Sequence, residues 1–427
     1  MNAENIYWVR PLTRPINAVV TVPGSKSITN RALLLAALAR GASTLEGALF
    51  SDDTEYMARA WQVLGIDVQE DREACRFVVR GGDGTFPARE ADLFVGNAGT
   101  AMRFLVAALC LGHGRFRIDG SPRMRERPIQ PLLDTLCQLG ADAMSERGTG
   151  CPPVVVRAHG LRGGRASLEA RQSSQFLSAV LQVAPCTQQG VELHRVGPLI
   201  AEPYVAMTIG VMQAFGAVVE TDGRETFRVM PQAYKAAHYR IEPDASSAHY
   251  FWAAAALCGG RVRVPGLNRR SLQGDVRFAE VLGEMGAQVE FGENFVEVRG
   301  TGELRGIDVD MNPISDTAMT LAALAPFATG PVRIRNVAHL RIQESDRLRA
   351  MTTELARLGV KVEEREDGLS VYPSAIAPAV VDTYGDHRIA MSLALIGLRV
   401  GAIGIRDPHC VRKTFPEFFT KLEALYG

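Results

Sequence analysis

The chain has 427 residues, 47% hydrophobic and 22% charged, which is ordinary for a globular protein and too long for a single core. Lys plus Arg equals Asp plus Glu at 47 each, which excludes a generally basic surface for nucleic acid and leaves only local charge clusters. No apolar run reaches the ~18 residues of a membrane span, and MNAENIYWVRPL lacks the basic-then-apolar order of a secretory leader. A soluble, cytoplasmic protein is expected. The seven cysteines are scattered, with no CxxC pair, and read as buried free thiols rather than metal ligands or disulfides.

In chain order, two strand-like segments, IYWVRPLTRP and INAVVTV, precede RALLLAALA, a helix apolar almost all round. Five further helices of this kind follow: MRFLVAALCLG, SQFLSAVLQVA, AHYFWAAAALCGG, AMTLAALAPFA and RIAMSLALIGL. Behind each comes a short strand with a loop, as in RFRIDGSPRMRERP and VRIRNVAHLRIQESD, and then a second, amphipathic helix. That second helix ends on glycine at Gly65, Gly140, Gly216, Gly286, Gly359 and Gly427, a repeat of about 70 residues. Strand pairs such as AQVEFGENFVEVRG follow the first five glycines.

We read six units, each with one buried helix, one surface helix and several short strands. The sixth lacks strands after Gly427, and both N-terminal segments are expected to return and supply them. The fold class is α/β, with two domains of three repeated βα units and parallel buried helices. One domain takes residues 1–22 and 242–427, the other 23–241. An open repeat array is the alternative, but six units without distinct polar caps speak against it.

Every buried helix begins with small polar residues: Ser25-Lys26-Ser27, Asn97-Ala98-Gly99-Thr100, Ser173-Ser174-Gln175, Asp244-Ala245-Ser246-Ser247, Ser315-Asp316-Thr317 and Asp386-His387-Arg388. Any one of these is explained as an N-cap. Six at equivalent positions imply more. With parallel helices, three N-termini emerge on one face of each domain, and helix N-termini attract anions. Two such faces turned together would make an anion-binding cleft.

Cations fit that picture. Lys26, Arg31, Arg103 and Arg388 flank helix starts, while Arg127, Arg347 and Lys413 sit in the loops at the same end. Guanidinium groups pair bidentately with carboxylate or phosphate. Two acids lie among them. Asp316 reads about equally as an N-cap and as a catalytic residue, and Glu344 could equally be a salt-bridge partner of Arg347. No HExxH, P-loop or GxSxG motif is present, so metalloprotease, NTPase and hydrolase chemistry find no support.

Taken together, PGSKSITNRALLLAALA, LFVGNAGTAMR, PRMRERPI, SSQFL, DASSAHYF, SDTAMT, ESDRL, GDHRIAM and RKTFP resemble the 5-enolpyruvylshikimate-3-phosphate synthase family, in the family's order from Pro23 to Pro416. The resemblance implies an inside-out α/β barrel, the enolpyruvyl transferase fold, closing on its substrates. It implies transfer of the enolpyruvyl group of phosphoenolpyruvate to the 5-hydroxyl of shikimate 3-phosphate, with release of phosphate and without cofactor or metal. A monomer with no nucleic-acid or membrane partner is expected. By resemblance, Lys26, Asp316 and Glu344 are catalytic, with Asp316 taking the hydroxyl proton and Glu344 exchanging a proton at the methylene carbon. Lys26, Ser27, Arg31, Ser173, Ser174, Gln175, Asp316 and Gln343 would bind shikimate 3-phosphate. Lys26, Gly99, Arg127, Arg347, Arg388 and Lys413 would bind phosphoenolpyruvate, with Gly99 kept small where ligand meets backbone.

The chain departs from the family's common pattern at four places. Phe104 replaces the proline after GNAGTAMR, expected as a first-turn residue whose loss shifts Gly99 and reduces sensitivity to glyphosate, the family's inhibitor. Ala201, His339 and Gln343 replace a common Ser, Asn and Lys. An enolpyruvyl transferase for another acceptor is therefore the alternative, and a non-catalytic ligand-binding paralogue the second. Retention of both acids argues against the latter.

Overall fold

The computed structural model describes residues 5–223 and 225–426. Contacts gather into two units, one formed by the chain up to Pro23 with everything from Glu242 onward, the other by Gly24–Ile241. Each unit is built on three buried helices. In the second they are α1 (Lys26–Leu38), α2 (Gly99–Leu109) and α3 (Ser174–Val183). In the first they are α4 (Ala245–Cys258), α5 (Ala318–Leu324) and α6 (His387–Val400). Their Ala- and Leu-rich sequences have no polar face, and all of α2 is indeed shielded from solvent.

The helices of each unit run side by side in the same direction. In Gly24–Ile241, residues from the second turn of each meet: Arg31 of α1 lies 5.1 Å from the Phe104 ring of α2 and reaches Ser178 of α3. In the other unit a buried polar chain joins residues of the first two turns. His249 Nε2 of α4 lies 2.8 Å from Thr320 Oγ1 of α5, which lies 2.9 Å from Ser392 Oγ of α6. Such meetings near the helix starts place the three N-termini of each unit on one face.

Among the described residues, six small mixed sheets lie around the helices. In the simplest, Glu90–Phe94 leads into α2 and pairs in parallel with His113–Asp119, which follows it; Val154–His159 then pairs antiparallel. This is a βαβ crossover with a hairpin strand added. The loops at the ends of these strands carry the charged side chains to the helix starts.

One expectation changes here. Ile6–Val9 does join the sixth unit's sheet, antiparallel to Ile403–Arg406, but Ile16–Val19 does not. It pairs in parallel with Gly260–Pro265, the strand after α4. The reason is an exchange of leading strands: His238–Arg240 precedes α4 in the chain but pairs with Arg40–Glu46, the strand after α1. The vacated edge beside Gly260–Pro265 is thus filled from the N-terminal segment.

The glycines ending the surface helices take left-handed φ, +88° at Gly65, +97° at Gly140, +84° at Gly216, +110° at Gly286 and +83° at Gly359, as helix termination requires. Gly427 lies outside the described residues. The cysteines are all free, but the expectation that they are buried holds fully only for Cys110, whose thiol burial pushes up to about 12. Cys75 and Cys137 are exposed, because they sit in a turn and on the solvent side of an amphipathic helix. Among the described residues, no helix is long and apolar enough to cross a membrane.

Candidate active site

In Gly24–Ile241 the helix starts follow the sequence in two cases of three. Ser25 caps α1, accepting from the Ile28 amide at 3.4 Å, and Ser173 caps α3, accepting from the Gln175 amide at 3.1 Å. The third case differs. The residue before α2 is Ala98, which has no acceptor, and Asn97 is turned elsewhere. Its side-chain and backbone oxygens both accept from Arg127 Nη1, at 3.0 and 3.1 Å. Asn97 therefore positions an arginine instead of capping a helix.

Gly99 is explained by the same arginine. A Cβ at Gly99 would lie 2.5 Å from Arg127 Nη2 and 3.0 Å from its Cζ. The guanidinium therefore requires a glycine here on its own account, besides the expected approach of ligand to backbone. Arg103 holds the loop that bears Arg127, donating from Nη2 to the Pro128 carbonyl at 3.0 Å.

Lys26, the first residue of α1, pairs with Asp53 at 3.3 Å, and Asp53 is almost fully buried. Arg31 is buried one turn further in. It donates to Thr208 Oγ1 at 2.8 Å, the Ser27 carbonyl at 2.9 Å and the Tyr204 carbonyl at 3.2 Å. Ser27 thus meets Arg31 through its backbone. Ser174 and Gln175 open α3. Phe104 stands in the second turn of α2, not the first, so the expected route from residue 104 to Gly99 through helix initiation gives way to contact with Arg31.

The other unit holds a denser cluster. Asp316 is not the cap of α5, which is Thr317; it lies in a 3-10 turn, Asn312–Thr317, broken at Ile314. That break turns the Asp316 carboxylate to accept from Arg388 Nη2 at 2.7 Å and Arg347 Nη1 at 3.2 Å. Arg347 Nη2 also donates to Glu344 Oε2 at 2.9 Å, and Lys413 Nζ stands 3.6 Å from Glu344 Oε1. Gln343, half-buried, immediately precedes Glu344. Arg347 is 1% exposed. Burial works to lower its pKa, but the carboxylates of Asp386, Glu344 and Asp316 outweigh that and hold it above the ordinary arginine value.

Asp316 and Glu344 share Arg347, and each touches a second cation. Carboxylates so placed have the chemistry to exchange protons with an anion brought to these cations. His339, buried, has Nε2 2.8 Å from Ser315 Oγ, and burial lowers its pKa to about 4.

Four residues of these clusters carried no functional role in the sequence: Asp53, Asn97, Asp275 and Asp386. Asp275 is buried and accepts from Ser246 Oγ; burial, reinforced by the Asp316 charge and opposed by Arg388, raises its pKa. Asp53 and Asp275 could have been found, since FSDD and LQGD end the loops of the first and fourth units at the position where RMRERP places Arg127.

Comparison with known proteins identifies the family. The EPSP synthase (3-phosphoshikimate 1-carboxyvinyltransferase) family profile matches residues 12–422. A curated 3-phosphoshikimate 1-carboxyvinyltransferase of Trichormus variabilis is 50% identical over 97% of this chain and 98% of its own. One from Aliivibrio salmonicida is 45% identical over 98% of each chain. Among solved structures, EPSP synthase from Acinetobacter baumannii superposes with TM-score 0.81 at 25% identity, covering 98% of both chains. The enolpyruvyl transferase NikO from Streptomyces tendae shares the fold, with TM-score 0.75 at 18% identity over 99% and 98% of the two chains. The chain belongs to the EPSP synthase family.

Proposed function

We propose that this protein transfers the enolpyruvyl group of phosphoenolpyruvate to the 5-hydroxyl of shikimate 3-phosphate, releasing phosphate, in aromatic amino acid biosynthesis. The observation that carries the reading is the pair of acids, Asp316 and Glu344, held by one buried arginine and each touching a further cation.

The reaction runs by addition and elimination. Glu344 delivers a proton to the methylene carbon of phosphoenolpyruvate, making the neighbouring carbon electrophilic. Asp316 takes the proton of the 5-hydroxyl, whose oxygen attacks that carbon to give a tetrahedral phospho-ketal. Glu344, now a carboxylate, takes a methyl proton back, which expels phosphate and restores the double bond. Arg127, Arg347, Arg388 and Lys413 hold the anionic phosphoenolpyruvate, where preformed cations stabilise charge as it moves. Lys26 serves both substrates, and its position at the first residue of α1 supports that role. Ser27, Arg31, Ser173, Ser174, Gln175 and Gln343 hold the acceptor, using two serine-capped helix starts suited to phosphate.

The test is phosphate release from phosphoenolpyruvate plus shikimate 3-phosphate, with the product identified by mass. An adduct heavier by one enolpyruvyl group supports the assignment. A folded protein that binds phosphoenolpyruvate without turning over this acceptor would shift it to a different acceptor, through Ala201, His339 and Gln343.

A further inference from the structure

Two arginines near the helix starts are equally buried yet live in opposite surroundings. Arg347 is enclosed by Asp316, Glu344 and Asp386. Arg31, 2% exposed, has as its described hydrogen-bond partners only hydroxyls and carbonyls: Thr208, Ser178, Ser27 and Tyr204. Burial accordingly pulls the pKa of Arg31 down, to about 10, whereas Arg347 is raised. What faces the Arg31 guanidinium is the Phe104 ring, its centroid 5.1 Å away, within the range where the negative face of an aromatic attracts a cation.

A ring differs from a carboxylate in one useful respect. It stabilises a desolvated guanidinium without neutralising it, and it does not compete for the N–H groups. We propose that Phe104 is a positioning residue for Arg31, its ring face holding the guanidinium oriented and electrostatically available for the anionic acceptor. A proline at 104 would offer no such face. The inference rests on the proposed role of Arg31 in binding shikimate 3-phosphate.

The test places fluorinated phenylalanines of increasing substitution at position 104 of the full-length protein, since fluorine drains the ring face while nearly conserving shape. KM for shikimate 3-phosphate is expected to climb stepwise, reaching about tenfold with the pentafluoro ring, while KM for phosphoenolpyruvate changes less than about twofold. Phe104→Leu, with its thermal midpoint recorded, should reproduce the full effect and Phe104→Tyr should not. A flat response to fluorination overturns the inference, because a purely packing role is indifferent to ring charge. Arg31→Lys separates the two layers. If it leaves KM for shikimate 3-phosphate unchanged, the role of Arg31 fails; if it raises KM while the fluorinated series stays flat, only the role of Phe104 fails.

Discussion

The Arg347 guanidinium is clamped by Asp386, with Nε 2.8 Å from Oδ2 and Nη2 3.3 Å from Oδ1, both side chains sealed from solvent. Asp386 also caps α6 through the Arg388 amide at 3.0 Å and accepts from Ser345 at 2.9 Å. One carboxylate therefore holds the guanidinium of Arg347 and the backbone of Arg388, both assigned to phosphoenolpyruvate. Asp386→Asn keeps the cap but removes the charge that balances Arg347. Removing one partner of a buried pair costs about 3 kcal/mol or more. Chemical denaturation should show that loss, with KM for phosphoenolpyruvate raised about tenfold.

Gly99→Ala places a methyl group 2.5 Å from Arg127 Nη2, too close for any carbon to remain. The Arg127 guanidinium must shift from its place against Asn97, and displacement of a positioned cation by about 1 Å can cost up to ~100-fold in rate. Steady-state kinetics should show KM for phosphoenolpyruvate raised about tenfold or more, with KM for shikimate 3-phosphate nearly unchanged.

Asp316→Asn removes the proposed proton acceptor while keeping its size and its ability to accept from Arg388. kcat is expected to fall about 100- to 10,000-fold, the range for loss of a general base. Calorimetric binding of shikimate 3-phosphate should persist. A variant with near-normal kcat would move the base elsewhere.

His339 makes stability depend on pH. Burial lowers its pKa from 6.5 to about 4, with the Asp316 carboxylate opposing the shift and Arg347 assisting it. Between those values the unfolded chain binds a proton that the folded one excludes, so stability is full above pH 6.5 and falls as pH drops toward 4. The full shift is worth on the order of 3 kcal/mol. Urea midpoints measured from pH 7 to 4 should fall less steeply in His339→Asn. Some slope should remain, because burial also depresses His249.

The sequence by itself determined the repeat, because its terms are local. A helix apolar on every side must be buried, and a chain that leaves its helix through a left-handed turn favours glycine, so six apolar runs and the regular glycines define the units. The clustering of cations at helix starts was legible for the same reason, since GSKS, GNAGTAMR and GDHR lie at the heads of the apolar runs they open. Only the tertiary structure decided which partner each charge takes. Nothing near SDT in the chain says that Asp316 turns from its helix toward Arg347 and Arg388, 31 and 72 residues away. Nothing near GNAGT says that Asn97 holds Arg127 or that Phe104 faces Arg31. Strand exchange between the leading segments of α1 and α4 was hidden likewise, because a parallel strand shows in its own sequence that it pairs, but not with which neighbour. Pairing across long separations is set by how the layers pack, and a buried charge takes whichever opposite charge the packing brings within reach.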